Sequence, residues 1–175
     1  MKTGWRWIIP AALFAVAAHA AKPVKVSIGW EYKDVAAKVE LYEPKNFVRL
    51  WETRSVKSAG ELPIAGKIEG STFRLAPGER KRFVLVMRND TDKPLYFFAA
   101  PHQVLPVEHS LGFKFKCLCV NHAFSAGPRE SWYRVVELQM SDGFVGNELA
   151  ITHALIGIDE KRAKEFSQPA GMPDM

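Results

Sequence analysis

Two cysteines separated by a single residue are the side chains of this sequence most suited to chemistry. Cys117 and Cys119 are the only cysteines in its 175 residues. If residues 113–120 form a strand, its two-residue period points both thiols to one face, opposite Lys114 and Lys116. These lysines raise the local potential and modestly favour thiolates. Because thiolates are soft ligands and two of them suffice for copper(I), the pair predicts a copper(I) site.

Two histidines near the pair are candidates for a third ligand. His122 completes a Cys-x-Cys-x-x-His arrangement, and His109 lies eight residues before Cys117, across a Ser-Leu-Gly turn. Each of them is equally well explained as an ordinary loop residue. The predicted metal ligands are therefore Cys117, Cys119, His122 and His109.

Two further histidines are expected to have other roles. His102 lies in a loop predicted over 101–106, and His153 lies in the last predicted strand, where we interpret it as a residue of the sheet. A structural zinc site takes four ligands, usually in paired-knuckle spacing, and two cysteines alone do not supply them.

Other interpretations of the cysteine pair stay open. As a disulfide, the pair would close a loop of three residues, which removes little entropy from the unfolded chain. As a strained redox couple, it would act in thiol-disulfide exchange, although the sequence lacks a thioredoxin-like βαβ pattern. The cysteines are also explained as small core residues of a sandwich that serves only as an interaction module. We expect no enzyme, because the sequence contains no nucleophile elbow, phosphate loop or haem-attachment motif.

The elements that must position these residues are strands. Short segments rich in β-branched and aromatic residues are separated by turn clusters, and residues 82–88 are apolar on both faces, as in a central strand. Residues 34–58 fit a helix and strands equally. The pattern predicts an all-β, immunoglobulin-like β-sandwich of about seven strands. The predicted strands span residues 24–30, 72–75, 82–88, 95–99, 113–120, 132–138 and 149–158.

The ends and the charge of the chain carry signals of their own. Residues 1–20 combine a basic start, an apolar run and a final Ala-His-Ala, which predicts a cleaved signal peptide and a periplasmic protein. The apolar run is shorter than the roughly 20 residues needed to span a bilayer. We expect one domain over 21–160 and a flexible tail over 161–175. The net charge of +5, to which Lys2 and Arg6 of the leader contribute, is too mild to indicate nucleic-acid binding.

Longer stretches around the cysteine pair match the pattern of a known family. Leu-Gly-Phe-Lys-Phe-Lys-Cys-Leu-Cys-Val over 111–120 is followed by Ser-Ala-Gly-Pro over 125–128 and Trp-Tyr-Arg-Val over 132–135. Upstream, residues 89–94 have the form of an Asn-x-Thr-Asp-x-Pro turn, and Ala-Ala-Pro covers 99–101. Over about residues 72–158, the sequence resembles the CtaG-type cytochrome c oxidase assembly proteins.

The resemblance implies an immunoglobulin-like fold in which Cys117 and Cys119 bind copper(I). It further implies that the copper is handed to the copper site of a haem-copper oxidase, often by a homodimer. The chain departs from the family in having Leu118 and Val120 where the family has aromatic residues, and in lacking a further cysteine near the start of the domain. An unanchored relative of this kind fits a periplasmic copper chaperone, with copper storage, copper tolerance or supply of another copper enzyme as alternatives.

Overall fold

The chain alternates between strands and tight connections over most of its length. The computed structural model describes residues 22–120 and 122–166. The predicted signal peptide over 1–20 and the part of the predicted tail over 167–175 lie outside these residues. No helix in the described part of the chain is long and apolar enough to cross a membrane.

The described residues form twelve strands and one short α-helix. Three short 3₁₀ turns, at Ala59–Glu61, Glu69–Ser71 and Val107–Leu111, connect some of the strands. The strands are β1 (Val24–Lys33), β2 (Val39–Pro44), β3 (Thr53–Val56), β4 (Ile64–Lys67), β5 (Thr72–Leu75), β6 (Arg80–Arg88), β7 (Leu95–Ala99), β8 (Gln103–Leu105), β9 (Phe113–Lys116), β10 (Phe124–Ala126), β11 (Ser131–Met140) and β12 (Glu148–Ile158), and the helix is α1 (Glu160–Glu165).

These strands make two sheets of six strands each. Sheet 1 has the order β10-β7-β12-β1-β5, and β8 also pairs with β12. Sheet 2 has the order β3-β11-β6-β2-β4, and β9 also pairs with β11. β1 runs parallel to β12, whereas β9 runs antiparallel to β11. The prediction of an all-β sandwich is therefore confirmed.

The core lies between the two sheets, and a smaller apolar cluster covers the outer face of sheet 2. Alternate residues of β11, such as Trp132 and Val136, belong to the central core, whereas Tyr133 and Val135 belong to the outer cluster. The outer cluster also includes Val48 from the connection between β2 and β3. This second layer explains why the central strands of sheet 2 are apolar on both faces.

The described residues contain more strands than the predicted seven or so, because some strands are very short and others lie in the ambiguous segment. β2 and β3 occupy the segment over 34–58 that was ambiguous between helix and strand. β4, β8 and β10 span three or four residues each, too few for an alternating pattern to be recognised. One of them, β8, lies within the loop predicted over 101–106.

The predicted strand over 113–120 is wrong in its second half, because β9 ends at Lys116. β9 and β3 share one edge of β11: β9 pairs with its residues 137–140, and β3 pairs with its residues 131–134. Because β3 already occupies the next part of this edge, the chain leaves the ladder after Lys116. The cysteine pair therefore lies just beyond the strand and not on it.

The chain continues past β12 into a helix that packs on sheet 1. α1 begins after Asp159, whose side chain accepts a hydrogen bond from the Arg162 amide as an N-cap. Ala163 is buried, and the Phe166 ring stacks on Phe98 with centroids 5.8 Å apart. Residues 161–165 of the segment predicted as a flexible tail therefore belong to this helix.

Candidate metal centre

A tight turn at the end of β9 brings the two thiols together. The Val120 amide donates to the Leu118 carbonyl at 2.8 Å, so residues 118–120 bend sharply instead of extending. Leu118 is fully buried in the central core and anchors this turn. Cys117 is buried, Cys119 is exposed, and their Sγ atoms are 3.3 Å apart. The thiols point the same way, as the sequence predicts, although a turn and not a strand produces this arrangement.

His102 reaches the thiols from an interruption in sheet 1. β7 and β8 both pair with β12, and Leu155 faces Ala99 whereas Thr152 faces Gln103. The chain between β7 and β8 therefore holds one residue more than the opposing segment of β12, as in a β-bulge. Pro101 lies in this bulge and has no amide hydrogen to donate to the ladder. The bulge places His102 Nδ1 at 3.3 Å from Cys119 Sγ and at 3.9 Å from Cys117 Sγ.

His153 approaches the thiols from β12, opposite this bulge. It lies in register with Leu149, Ile151 and Leu155, which are all buried, so its ring also points into the sandwich. Its Nδ1 atom lies 3.8 Å from Cys119 Sγ. The site is therefore assembled between the sheets, with two imidazoles from sheet 1 and two thiols from the segment that follows β9 of sheet 2.

The four side chains together form a group of potential metal ligands. One ligand atom each from His102, Cys117, Cys119 and His153 lies within 4.8 Å of the other three. Ligand atoms around a tetrahedral ion with bonds of about 2.0–2.3 Å are roughly 3.3–3.8 Å apart, so a small contraction would close the group on an ion. Two sulfurs and two imidazole nitrogens suit copper and zinc and do not suit magnesium or calcium.

The two thiols share their hydrogen-bonding and electrostatic environment. A hydrogen bond from the Cys117 thiol lowers the pKa of Cys119, and contacts with His102 and His153 lower it further against the effect of burial. The pKa of Cys117 is raised, first by its hydrogen bond to Cys119 and then by burial. The pair therefore favours a form with one thiolate, in which the remaining proton is shared between the two sulfurs. A metal ion that binds both sulfurs would displace that proton.

Aromatic rings hold His153 in place. The Trp30 indole stacks on its imidazole with centroids 5.2 Å apart, and the Phe115 ring meets it edge-on at 5.5 Å. His153 is fully buried, and its Nε2 atom has no hydrogen-bond partner among the described residues. A buried polar atom without a partner is costly in free energy.

The two histidines predicted as further ligands are not brought to the thiols. His109 precedes the first residue of β9, and its ring packs on Phe144 with centroids 4.7 Å apart. The His122 ring packs on Phe124 at 4.7 Å. Among the described residues, neither histidine belongs to the group of ligand atoms around Cys117 and Cys119.

His102 and His153 are the members of the group that we did not predict as ligands. For His153 the sequence holds a signal, because a histidine occupies an inward position of an otherwise apolar alternating strand. For His102 the only signal in the sequence is the preceding Pro101. A proline indicates a break in a strand but not which residues lie opposite the break. The placement of both histidines depends on the pairing of β12 with β7 and β8, which sequence spacing does not reveal.

The comparison with protein-family models finds one match. A model described as a domain of unknown function (DUF8709) matches residues 24–158. The match extends from the first residue of β1 to the last residue of β12, and the chain therefore belongs to this family. All four residues of the candidate metal centre lie within the matched segment. The comparison with curated proteins finds no match.

Proposed function

We propose that this member of the family binds copper(I) at Cys117 and Cys119, with His102 and His153 as further ligands, and carries it to an acceptor protein. The observation that supports the proposal most is the meeting of two thiols and two imidazoles within 4.8 Å of one another. Thiolates favour soft metal ions such as copper(I), and imidazole suits copper as well.

The site lacks the features of a site for hard metal ions. No carboxylate belongs to the ligand group among the described residues, and hard cations such as magnesium require oxygen ligands. Zinc is the main competitor, because two cysteines and two histidines also satisfy its tetrahedral preference. Copper(I) is favoured because the contacting thiols alone provide a complete ligand set for it, which leaves the half-buried His102 free to exchange.

The exposure of the four ligands suggests how the ion would be passed on. Cys117 and His153 are buried, whereas Cys119 is exposed and His102 is half-buried. An incoming thiolate, thioether or imidazole would reach the ion from the side of Cys119 and His102. The two buried ligands would hold the ion until the acceptor binds it, so that copper moves without being released into solution.

The location and the acceptor are further parts of the proposal. The predicted signal peptide over 1–20 and the resemblance to CtaG-type proteins support a periplasmic copper chaperone that is not itself an enzyme. The copper site of a haem-copper oxidase is the proposed acceptor, and another copper enzyme would require the same transfer chemistry. The resemblance also supports a homodimer with copper near the interface between its two copies.

A competition titration tests metal binding by this site. Residues 21–175, reduced and kept without oxygen, are titrated with copper(I) against a chromophoric chelator, and in parallel with zinc. The proposal predicts tight binding of one copper ion per chain or per dimer, and its loss in the Cys117→Ser/Cys119→Ser variant. Failure of the wild-type protein to compete for copper(I) would refute the proposal, and tight binding of zinc with weak binding of copper(I) would replace the chaperone with a zinc site.

A further inference from the structure

A charged side chain lies inside the sandwich next to the cysteine turn. Arg134 of β11 shares its face with Trp132, Val136 and Leu138, which all belong to the central core. It is only 1 % exposed. Burial of a guanidinium group is costly unless its donors are satisfied, so the contacts of Arg134 indicate its structural role.

The contacts of Arg134 lead to the metal centre on one side and to β3 on the other. Its Nε atom donates to the Cys117 carbonyl at 3.2 Å, and its Nη1 atom donates to Thr53 Oγ1 at 2.7 Å. The guanidinium carbon lies 5.3 Å from the centroid of the Phe124 ring, in a cation–π contact. The rigid guanidinium thus joins the backbone of a metal ligand to a neighbouring strand.

The position of Arg134 in the sheet explains why this link is needed. Arg134 faces Thr53 in the pairing of β11 with β3, and the pairing of β11 with β9 includes Glu137 opposite Lys116. The cysteine turn begins in the gap between these two pairings. There the Arg134 side chain donates a hydrogen bond to the Cys117 carbonyl. In a paired strand, a backbone amide would have taken this place.

We propose that Arg134 is a positioning residue that fixes the Cys117–Cys119 turn against the imidazoles of His102 and His153. The inference rests on the proposed function, because it assigns a role in forming that site. A turn held in place before the ion arrives loses less conformational freedom on binding, which strengthens binding. Groups that orient metal ligands in this way typically affect metal affinity by about 10- to 100-fold when removed.

Two substitutions separate the geometry of Arg134 from its charge. Arg134→Lys keeps the positive charge but loses the planar fork that donates to Cys117 and Thr53 at once. Arg134→Met removes the charge and fills a similar volume. Asn89→Ala is the matched control, because Asn89 is also 1 % exposed and its side chain holds the backbone of Ala126 and Gly127, away from the cysteine turn.

The affinity for copper(I) is measured by chelator competition on all four proteins, after circular dichroism has verified their folds. The proposal predicts that both Arg134 variants bind copper(I) about 10- to 100-fold more weakly than the wild type, whereas Asn89→Ala binds it normally despite lower stability. Normal affinity in Arg134→Met, or an equal loss in Asn89→Ala, would overturn the proposal. Recovery of affinity in Arg134→Lys would also overturn it, since charge and not position would then be responsible.

Alkylation of the metal-free proteins decides the role of Arg134 even if the wild type binds no copper. Cys117 is 5 % exposed, so its reaction with iodoacetamide reports opening of the turn. Both Arg134 variants should react faster at Cys117 than Asn89→Ala does at matched pH. Equal rates in the three variants would refute the positioning role, whereas absence of copper binding by the wild type would refute only the proposed function.

Discussion

The His153 Nδ1 atom lies 3.8 Å from the Cys119 Sγ atom, although His153 belongs to one sheet and Cys119 follows a strand of the other. Four ligand atoms meet at this point, and they come from both layers of the sandwich. An ion bound to them would join the two sheets at one place. The metal centre and the stability of the fold are therefore expected to depend on each other.

Metal binding should stabilise the folded domain. A ligand that binds only the folded state at 100 times its Kd contributes about 2.7 kcal/mol to the free energy of unfolding. For a domain of this size, that contribution corresponds to a rise in Tm of roughly 5–11 °C. Calorimetry of the reduced protein with and without copper(I) measures the shift. A Tm that does not respond to saturating copper(I) would contradict a site that links the sheets.

Removal of His153 should weaken metal binding, whereas removal of His109 should not. His153→Ala deletes a proposed ligand, and because even residues that only orient ligands cost about tenfold in affinity, the loss should be at least that large. His109 packs on Phe144 outside the ligand group, so His109→Ala is the control. The copper(I) affinities of the two variants show which of the two histidines contributes to metal binding. The reverse order of effects would restore His109 as a ligand and exclude His153.

Leu118 should contribute more to stability than its position between two reactive residues suggests. It is fully buried in the central core, so Leu118→Ala should lower the free energy of unfolding by about 2–5 kcal/mol. Leu111 is 93 % exposed, and Leu111→Ala should change it by less than about 0.5 kcal/mol. Urea unfolding of the metal-free variants measures both values. Similar values for the two variants would show that the turn is not anchored in the core.

The carboxylate of Glu137 should stabilise the fold in a pH-dependent way. Burial raises its pKa, but hydrogen bonds from Arg82 at 2.8 Å and Lys116 at 3.3 Å outweigh burial, and the pKa is lowered overall. Its contribution is therefore fully present above the unfolded-state pKa of about 4.3 and is lost as the pH falls through the lower folded-state value. Because both cations are partly exposed, we expect Glu137→Gln to cost about 1–3 kcal/mol at pH 7.

Unfolding by urea at pH 7 and pH 3 tests this expectation with the wild type and Glu137→Gln. The difference in the free energy of unfolding between the two proteins should shrink at the lower pH. A difference that stays constant or grows on acidification would show that the ion pairs of Glu137 are not responsible.

The parts of the structure that follow from local pattern were predictable from the sequence. β5 and β7 have the predicted bounds, and β6, β11 and β12 extend the predicted strands by one or two residues at one or both ends. The two thiols were also placed together correctly, because one intervening residue leaves few ways to separate them. Such features depend on residues that are neighbours in the chain.

The remaining parts depend on pairing between distant segments. The end of β9 at Lys116 follows from the place of β3 on β11, and β3 itself lies in a segment without a clear period. His102 becomes a neighbour of Cys119 only through the bulge opposite β12. A histidine eight residues from Cys117 was therefore easier to propose from the sequence than one fifteen residues away, although the structure brings only the second to the thiols.

X-ray absorption spectroscopy at the copper edge tests the central claim most directly. The reduced domain over 21–175 is loaded with one equivalent of copper(I), and its spectrum is compared with those of Cys117→Ser/Cys119→Ser and His153→Ala. We predict two sulfur scatterers and at least one imidazole nitrogen around copper in the wild type, with loss of sulfur in the first variant and loss of nitrogen in the second. A wild-type copper shell without sulfur, or one unchanged by the cysteine substitutions, would contradict the proposed site.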